Sequence, residues 1–307
     1  MAWTAEHRRA ADRRGLRYPS DLTDAEWALV APLIRPAKHG GRPRKVDVRE
    51  MLTRYTELSG GADPGRGIEA VWASVADKAR AHRVLPDGRC DIILRFCARA
   101  RPIRGITVVV TGPATRHYDV AVERGMGFAG IRLRPGFFHA ILGLSPGLLR
   151  DGNLVGEAAI VACPPLSDLC AEATSPDDLP GRLVAFVQHR IALGHALPPI
   201  QTLRILSALH ASGGRLPVQD IARMQDISTR TVQRIVRDAT GLPPKSYARI
   251  LQFHRALRLL RDHHLRPAEA ASEAGYADQA HMTHALRDFG GLSPARLADV
   301  TLVTLGD

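Results

Sequence analysis

Residues 217–240 read Pro217-Val-Gln-Asp-Ile-Ala-Arg-Met-Gln-Asp-Ile-Ser228-Thr-Arg-Thr-Val-Gln-Arg-Ile-Val-Arg-Asp-Ala-Thr240. The spacing predicts a short helix over Val218–Met224, a turn at Gln225-Asp-Ile227, and a second helix over Ser228–Ala239. In that second helix Val232, Ile235, Val236 and Ala239 recur at i, i+3, i+4 and i+7 and share one face. Arg230, Gln233, Arg234 and Arg237 repeat the spacing two residues out of step. At roughly 100° per residue they lie about 200° around the helix, away from the core. An exposed face of Arg and Gln suits the major groove, where Arg bonds guanine O6 and N7 and Gln bonds adenine N6 and N7. Ser228 is a good N-cap, and with Thr229 it opens the helix.

The plan recurs downstream. Pro267–Ala274, a turn at Gly275-Tyr-Ala277, and Asp278–Phe289 form a second helix-turn-helix pattern. Met282, Leu286 and Phe289 are expected inside. Ala280, His284 and Arg287 are expected outside, flanked by His281 and Thr283, with Asp278 as the cap.

The run Ser228-x-Arg-x-Val-x-Arg…Thr240-Gly-x-x-Pro244…Tyr247, then Gly275-Tyr-x-Asp-Gln-x-His281 and Gly291-x-Ser-Pro294, resembles the AraC/XylS family of bacterial transcription regulators. The resemblance implies a seven-helix domain whose two recognition helices are held by a central helix, here about Pro244 to Leu260. It places the base-reading positions on Arg230, Gln233 and Arg234, then on Gln279, Ala280, His281, Thr283 and His284. Two departures stand out. Ala280 has no polar group to read a base, and His284 stands where Arg is common, so the second helix is expected to grip backbone more than it reads sequence.

The 307 residues are enough for two or three domains, and the net charge of +11 fits a polyanionic partner. That charge is spread: +4 over 1–58, +3 over 59–195 and +4 over 196–307. DNA binding therefore rests on where charge is placed. The sequence has neither a secretory pattern nor an apolar run near the ~20 residues of a membrane span, so a cytoplasmic protein without membrane contact is expected. Cys90, Cys97, Cys163 and Cys170 lack C-x-x-C spacing and read as reduced, buried small hydrophobes.

From the N-terminus, residues 1–18 are polar and Arg-rich and read as a disordered basic arm. In 19–58, Tyr18-Pro-Ser-Asp-Leu-Thr-Asp-Ala-Glu-Trp27…Gly40-Gly-Arg-Pro-Arg44…Val48-Arg-Glu50 resembles the N-terminal region of insertion-sequence transposases, a small helical segment. The resemblance ends near Leu58, which suggests a fusion. Arg42 and Arg44, extended beside Pro43, are the minor-groove candidates if this segment binds DNA. A passive remnant is the preferred reading. Residues 59–67 are a Gly-rich linker without the Gly-Lys-Ser/Thr of a phosphate loop.

Residues 68–195 alternate apolar runs with turns. Strands are expected at Ala70–Val75, Cys90–Phe96, Ile106–Thr111 and Gly127–Leu133, and helices from Pro135 to Leu142, near Ser145–Arg150, and over Pro180–Leu193. Leu85-Pro-Asp-Gly-Arg-Cys-Asp-Ile-Ile93 and Ile131-Arg-Leu-Arg-Pro-Gly136 resemble the amino-terminal region of one subgroup of the same regulator family. That implies a sensor-like or dimerisation domain, with an unidentified small-molecule effector. Asp87 and Asp91 with His82 offer a metal set by residue type alone; the preferred reading makes Asp87 a turn residue and Asp91 an exposed strand residue. No nucleophile elbow or zincin motif is present.

The chain is thus expected to be α+β: a small helical N-terminal segment, a mixed β-rich sensor-like middle domain, and an all-α domain over 196–307 with two helix-turn-helix units. The expected function is sequence-specific DNA-binding transcription regulation, without catalysis, cofactor or metal. Double-stranded DNA is the partner, with RNA polymerase and a second copy of the chain as further candidates. The alternatives are a transposase-derived DNA-binding protein or a fusion remnant without regulatory activity.

Overall fold

The computed structural model describes residues 67–100, 102–193 and 197–291. The arm at 1–18, the transposase-like segment at 19–58 with Arg42 and Arg44, nearly all of the linker, and Ser293-Pro294 lie outside the described residues.

The first part of the described chain is a sheet. Its strands are β1 (Ile68–Val75), β2 (Arg80–Val84), β3 (Cys90–Cys97), β4 (Thr107–Thr111), β5 (Tyr118–Val122), β6 (Met126–Leu133) and β7 (Asn153–Val155). Five of them form an antiparallel sheet in the order β1-β6-β3-β4-β7, and β2 pairs with β5 in a separate ribbon. Alternation explains one face. Cys90, Ile92, Leu94 and Phe96 of β3, and Val108 and Val110 of β4, all point into one apolar cluster. Helix α1 (Phe138–Leu142), a 3-10 turn at Pro146–Leu149, α2 (Glu157–Ala162), a 3-10 segment at Pro164–Cys170 and α3 (Asp178–Ala192) follow. Leu179, Leu183 and Val187 of α3 recur at helical spacing and close that cluster against β1 and β6.

The second part is helical: α4 (Ile200–Ala211), α5 (Val218–Met224), α6 (Thr229–Thr240), α7 (Pro244–Arg261), α8 (Pro267–Ala274) and α9 (Gln279–Gly290). Its core gathers Ile205, Val232, Val236, Tyr247, Phe253 and Leu286, among others. The long helix α7 packs against α4, α6, α8 and α9 and so connects both helix-turn-helix units. Of the seven helices implied by the family resemblance, six are seen from 200 to 290, and residues 292–307 lie outside the described residues. No described helix is long and apolar enough to cross a membrane.

Several expectations need correction. Ribbon strands β2 and β5, edge strand β7 and helix α2 were not anticipated. The β5 residues are mostly exposed, so the ribbon shows no inward-outward alternation to read. Helix α1 begins at Phe138 rather than Pro135, after a turn in which Phe137 N–H donates to Arg134 O. The expected helix near Ser145–Arg150 is a four-residue 3-10 turn. Cys97 is exposed, because seven residues along β3 put it on the face opposite buried Cys90. Asp91 is not a solvent-facing strand residue either. Its side chain is 14% exposed and ion-paired at 3.0 Å with Arg132, directly across the ladder on β6.

Sheet and helices meet along a polar seam. Arg89, just before β3, bonds Glu69 of β1 through Nε (2.5 Å) and Nη2 (2.8 Å), and its Nη1 donates to the Tyr247 hydroxyl of α7 at 3.2 Å. Tyr247 lies 2.5 Å from His210 Nε2 on α4. The Tyr247 oxygen already accepts from Arg89, so its own proton is directed to His210. Arg132 bridges Asp91 and Asp87, the latter at 2.8 Å. Asp87 Oδ1 also accepts from Arg89 N–H at 2.8 Å, so it does shape the turn, as expected. Burial opposes ionisation of Asp87, but Arg132 and Arg89 outweigh it and hold the carboxyl below its usual range. Burial, assisted by the charges of Arg89 and Arg258, pushes His210 down to about 3, so its imidazole is neutral. Burial likewise pushes the Tyr247 phenol up to about 12.

Candidate nucleic-acid interface

The two helix pairs turn in the same way. In the first, Asp226 takes a left-handed conformation (φ 51°) and Ile227 N–H donates back to Ala222 O at 3.0 Å. In the second, Gly275 takes the left-handed position (φ 83°) and Tyr276 N–H donates to Ala271 O at 2.9 Å. Each bond spans five residues and closes the first helix while reversing the chain. Asp is one of the few side-chain-bearing residues that tolerate this backbone, and Gly meets it without penalty. The second turn is one residue longer before its cap. Ser228 Oγ accepts from Thr231 N–H at 3.1 Å, and Asp278 Oδ1 accepts from His281 N–H at 2.7 Å. Both expected caps are therefore made.

The outward faces come next. On α6, Val232 and Val236 are fully buried, which turns Arg230, Gln233, Arg234 and Arg237 to solvent together with Ser228 and Thr229. Arg234 is 68% exposed and only 3.9 Å from Asp238, a loose i,i+4 pair that leaves the guanidinium free to turn. On α9, Met282, Leu286 and Phe289 are buried as expected, and Gln279, Ala280, His281, His284 and Arg287 are exposed. Two residues of this helix are partly engaged. Thr283 is half-buried and its hydroxyl donates to Gln279 O at 2.8 Å. His281 meets the Tyr276 ring edge-on at 5.2 Å. The free donors of α9 are thus fewer than those of α6, and Ala280 adds none.

The residues expected at the site lie on two second helices of two like-turned pairs, held to one core by α7. Gln252 Nε2 of α7 donates to Gly275 O at 2.7 Å, pinning the second turn to that helix. Sequence reasoning missed what lies behind the site: Arg89, His210 and His254, which tie α7 and α4 to the sheet region, and Glu69 and Arg132, which brace the sheet side of that seam. Their partners are distant in sequence, Arg89 and Tyr247 by 158 positions, so no local pattern announces them.

Residues 221–299 match the family model described as "Helix-turn-helix domain". The chain carries a DNA-binding helix-turn-helix domain. Ahead of it, residues 66–154 match a model described as "Domain of unknown function (DUF6597)". Among solved structures, the chain is similar to the C-terminal domain of AraT, a response regulator from Geobacillus stearothermophilus. That likeness has 19% identity and a TM-score of 0.31, covering 35% of this chain and 91% of that one. A transcriptional regulator (AraC-type DNA-binding domain-containing proteins) from Chromobacterium violaceum is similar at 20% identity and a TM-score of 0.31, over 34% of this chain and 95% of that one. Unsaturated fatty acid bound wild-type ToxT from Vibrio cholerae is similar over 75% of this chain and 94% of its own, at 12% identity and a TM-score of 0.41. No curated protein matches the chain.

Proposed function

We propose that this protein is a sequence-specific transcription regulator of the AraC/XylS type, and that α6 and α9 of one monomer enter successive major grooves on one face of the duplex. The observation that carries the reading is the doubled design: two like-turned helix pairs, each exposing the polar face of its second helix, share one core. A doubled reader needs elements about 34–36 Å apart, one turn of B-DNA. In this reading Arg230, Gln233 and Arg234 contact base edges, and Arg237 and Arg287 reach phosphates. The backbone N–H groups at the starts of α6 and α9 meet phosphate with the helix dipole behind them. Gln279, His281, Thr283 and His284 form the second, weaker reader. An effector bound by the sheet region, a homodimer and contact with RNA polymerase complete the function that the family resemblance implies.

Arg234→Ala tests the reading on the full chain. We expect a loss of about 1–3 kcal/mol of binding free energy, with relaxed base preference at one position of the site. If affinity falls equally for every sequence, Arg234 is a phosphate contact and the base-reading assignment fails.

A further inference from the structure

The turn from Leu85 to Arg89 belongs to the sheet by sequence and to the helices by packing. Leu85 is 5% exposed and sits in the apolar cluster of Ile205, Val232, Val236 and Tyr247. Pro86 O accepts from His254 Nε2 at 2.7 Å. Gly88 (φ 69°) lies so close to the Tyr247 ring that a Cβ there would come within 2.7 Å of it. Arg89 then bonds the hydroxyl of the same tyrosine. Tyr247 and His254 are seven residues apart on α7, about two helical turns, and present one face to this turn.

Two further bonds cross between sheet and helices, and both end on recognition helices. Gly136 N–H donates to Ala239 O in the last turn of α6 at 3.2 Å, and His117 N–H donates to Phe289 O in the last turn of α9 at 3.0 Å. Beside the first of these, Gly147 of the 3-10 turn lies against Gly241 at the C-cap of α6. The sheet region therefore holds the carboxyl end of α6 through Gly136 and Gly147, that of α9 through His117 beside the β2–β5 ribbon, and the middle of the helix between them. It does so from the ends opposite the capped starts at Ser228 and Asp278.

We infer that the sheet region is a gauge that fixes the separation of the two recognition helices, with the Leu85–Arg89 turn as its grip on α7. This rests on the DNA reading proposed above. Inserting one base pair between two elements moves one of them by about 3.4 Å and turns it by about 34°. A protein whose two readers are rigidly spaced rejects that change, and one whose readers are joined by α7 alone adapts to it. Arg89 makes the grip stiff. Its side chain is 13% exposed, its Nε and Nη2 are fixed on the sheet side by Glu69, and its Nη1 lies between Asp87 O of the same turn and the Tyr247 hydroxyl of α7. A shift of β1 or of the start of β3 is thereby transmitted to α7, which gives the sheet region a route by which to act on DNA binding.

The test uses the full chain, a duplex carrying the selected two-element site, the same duplex with one or two base pairs inserted between the elements, and a duplex with one element. Tyr247→Phe removes the hydroxyl and keeps the ring that fills the core; Arg89→Met is the second variant. Wild type is expected to reject the inserted duplexes, and each variant is expected to lose about fivefold or more of that discrimination while one-element affinity changes by less than about twofold. Amide exchange in the free Arg89→Met protein is expected to quicken in α7 and in the last turns of α6 and α9. Wild-type discrimination in both variants, or unchanged exchange in Arg89→Met, overturns the inference. Wild type that binds the two-element site yet accepts insertions also overturns it, and leaves the DNA reading standing. Wild type that binds no two-element site defeats both.

Discussion

His210 makes the seam sensitive to acid in a direction that can be worked out. In the folded chain its ring accepts from Tyr247 beside Arg89, and burial with the Arg89 and Arg258 charges holds its pKa at about 3. In the unfolded chain an imidazole titrates near 6.5. The unfolded state thus takes up a proton that the folded state refuses. The stability contributed by the neutral ring is complete above about pH 6.5 and is lost progressively as pH falls toward about 3. Between pH 7 and pH 5 the loss from His210 alone is about 2 kcal/mol. His254, whose pKa burial also lowers, adds in the same direction. Urea unfolding of the full chain at the two pH values, followed by far-UV circular dichroism, measures the loss. The variant His210→Gln should lose about 2 kcal/mol less than wild type over the same interval. Equal losses in the two proteins would refute the reasoning, since they would mean that the imidazole is already charged or solvated at the seam.

Other consequences follow from the same geometry. Arg132→Met leaves Asp87 and Asp91 buried without their shared guanidinium, and should destabilise the chain by about 3–5 kcal/mol in urea unfolding, whereas Arg104→Met, whose pair with Glu172 is largely exposed, should cost under about 1 kcal/mol. Ser228→Ala removes the acceptor for Thr231 N–H and should cost about 1 kcal/mol of stability by the same measurement. Gly275→Ala forces a left-handed alanine whose Cβ would meet Arg215 at 2.8 Å, and should destabilise by about 1 kcal/mol or more.

The helical part was largely legible because its signals are local. Val232 and Val236 against Arg230, Gln233 and Arg234 define two faces within one helix, and Ser228 and Asp278 cap helices that begin one residue later. Pro267 and Gly275 bracket α8 at the bounds the spacing predicts. The buried strands were legible for a similar reason: Ile92, Leu94 and Phe96 alternate with more exposed residues. The ribbon of β2 and β5 was not, since none of its described side chains is fully buried, and a ribbon without a buried face imposes no alternation on its sequence. Asp91 and Cys97 show the limit of alternation. Both are odd-numbered on β3 and face away from the sheet core, yet one end of that face is covered by charged partners and the other is bare. The seam was invisible because Arg89 finds its partners on β1, α4 and α7, and only the tertiary fold brings these together.

The doubled DNA reader is put to its sharpest trial by selecting bound sequences from a random duplex library with the full-length protein at physiological salt. Enrichment of a site with two elements about 10–10.5 base pairs apart is the expected result, with the stronger element belonging to α6. Recovery of no motif, with binding that falls steeply as salt rises, would mean that a basic surface alone holds the DNA, and would contradict the regulator reading.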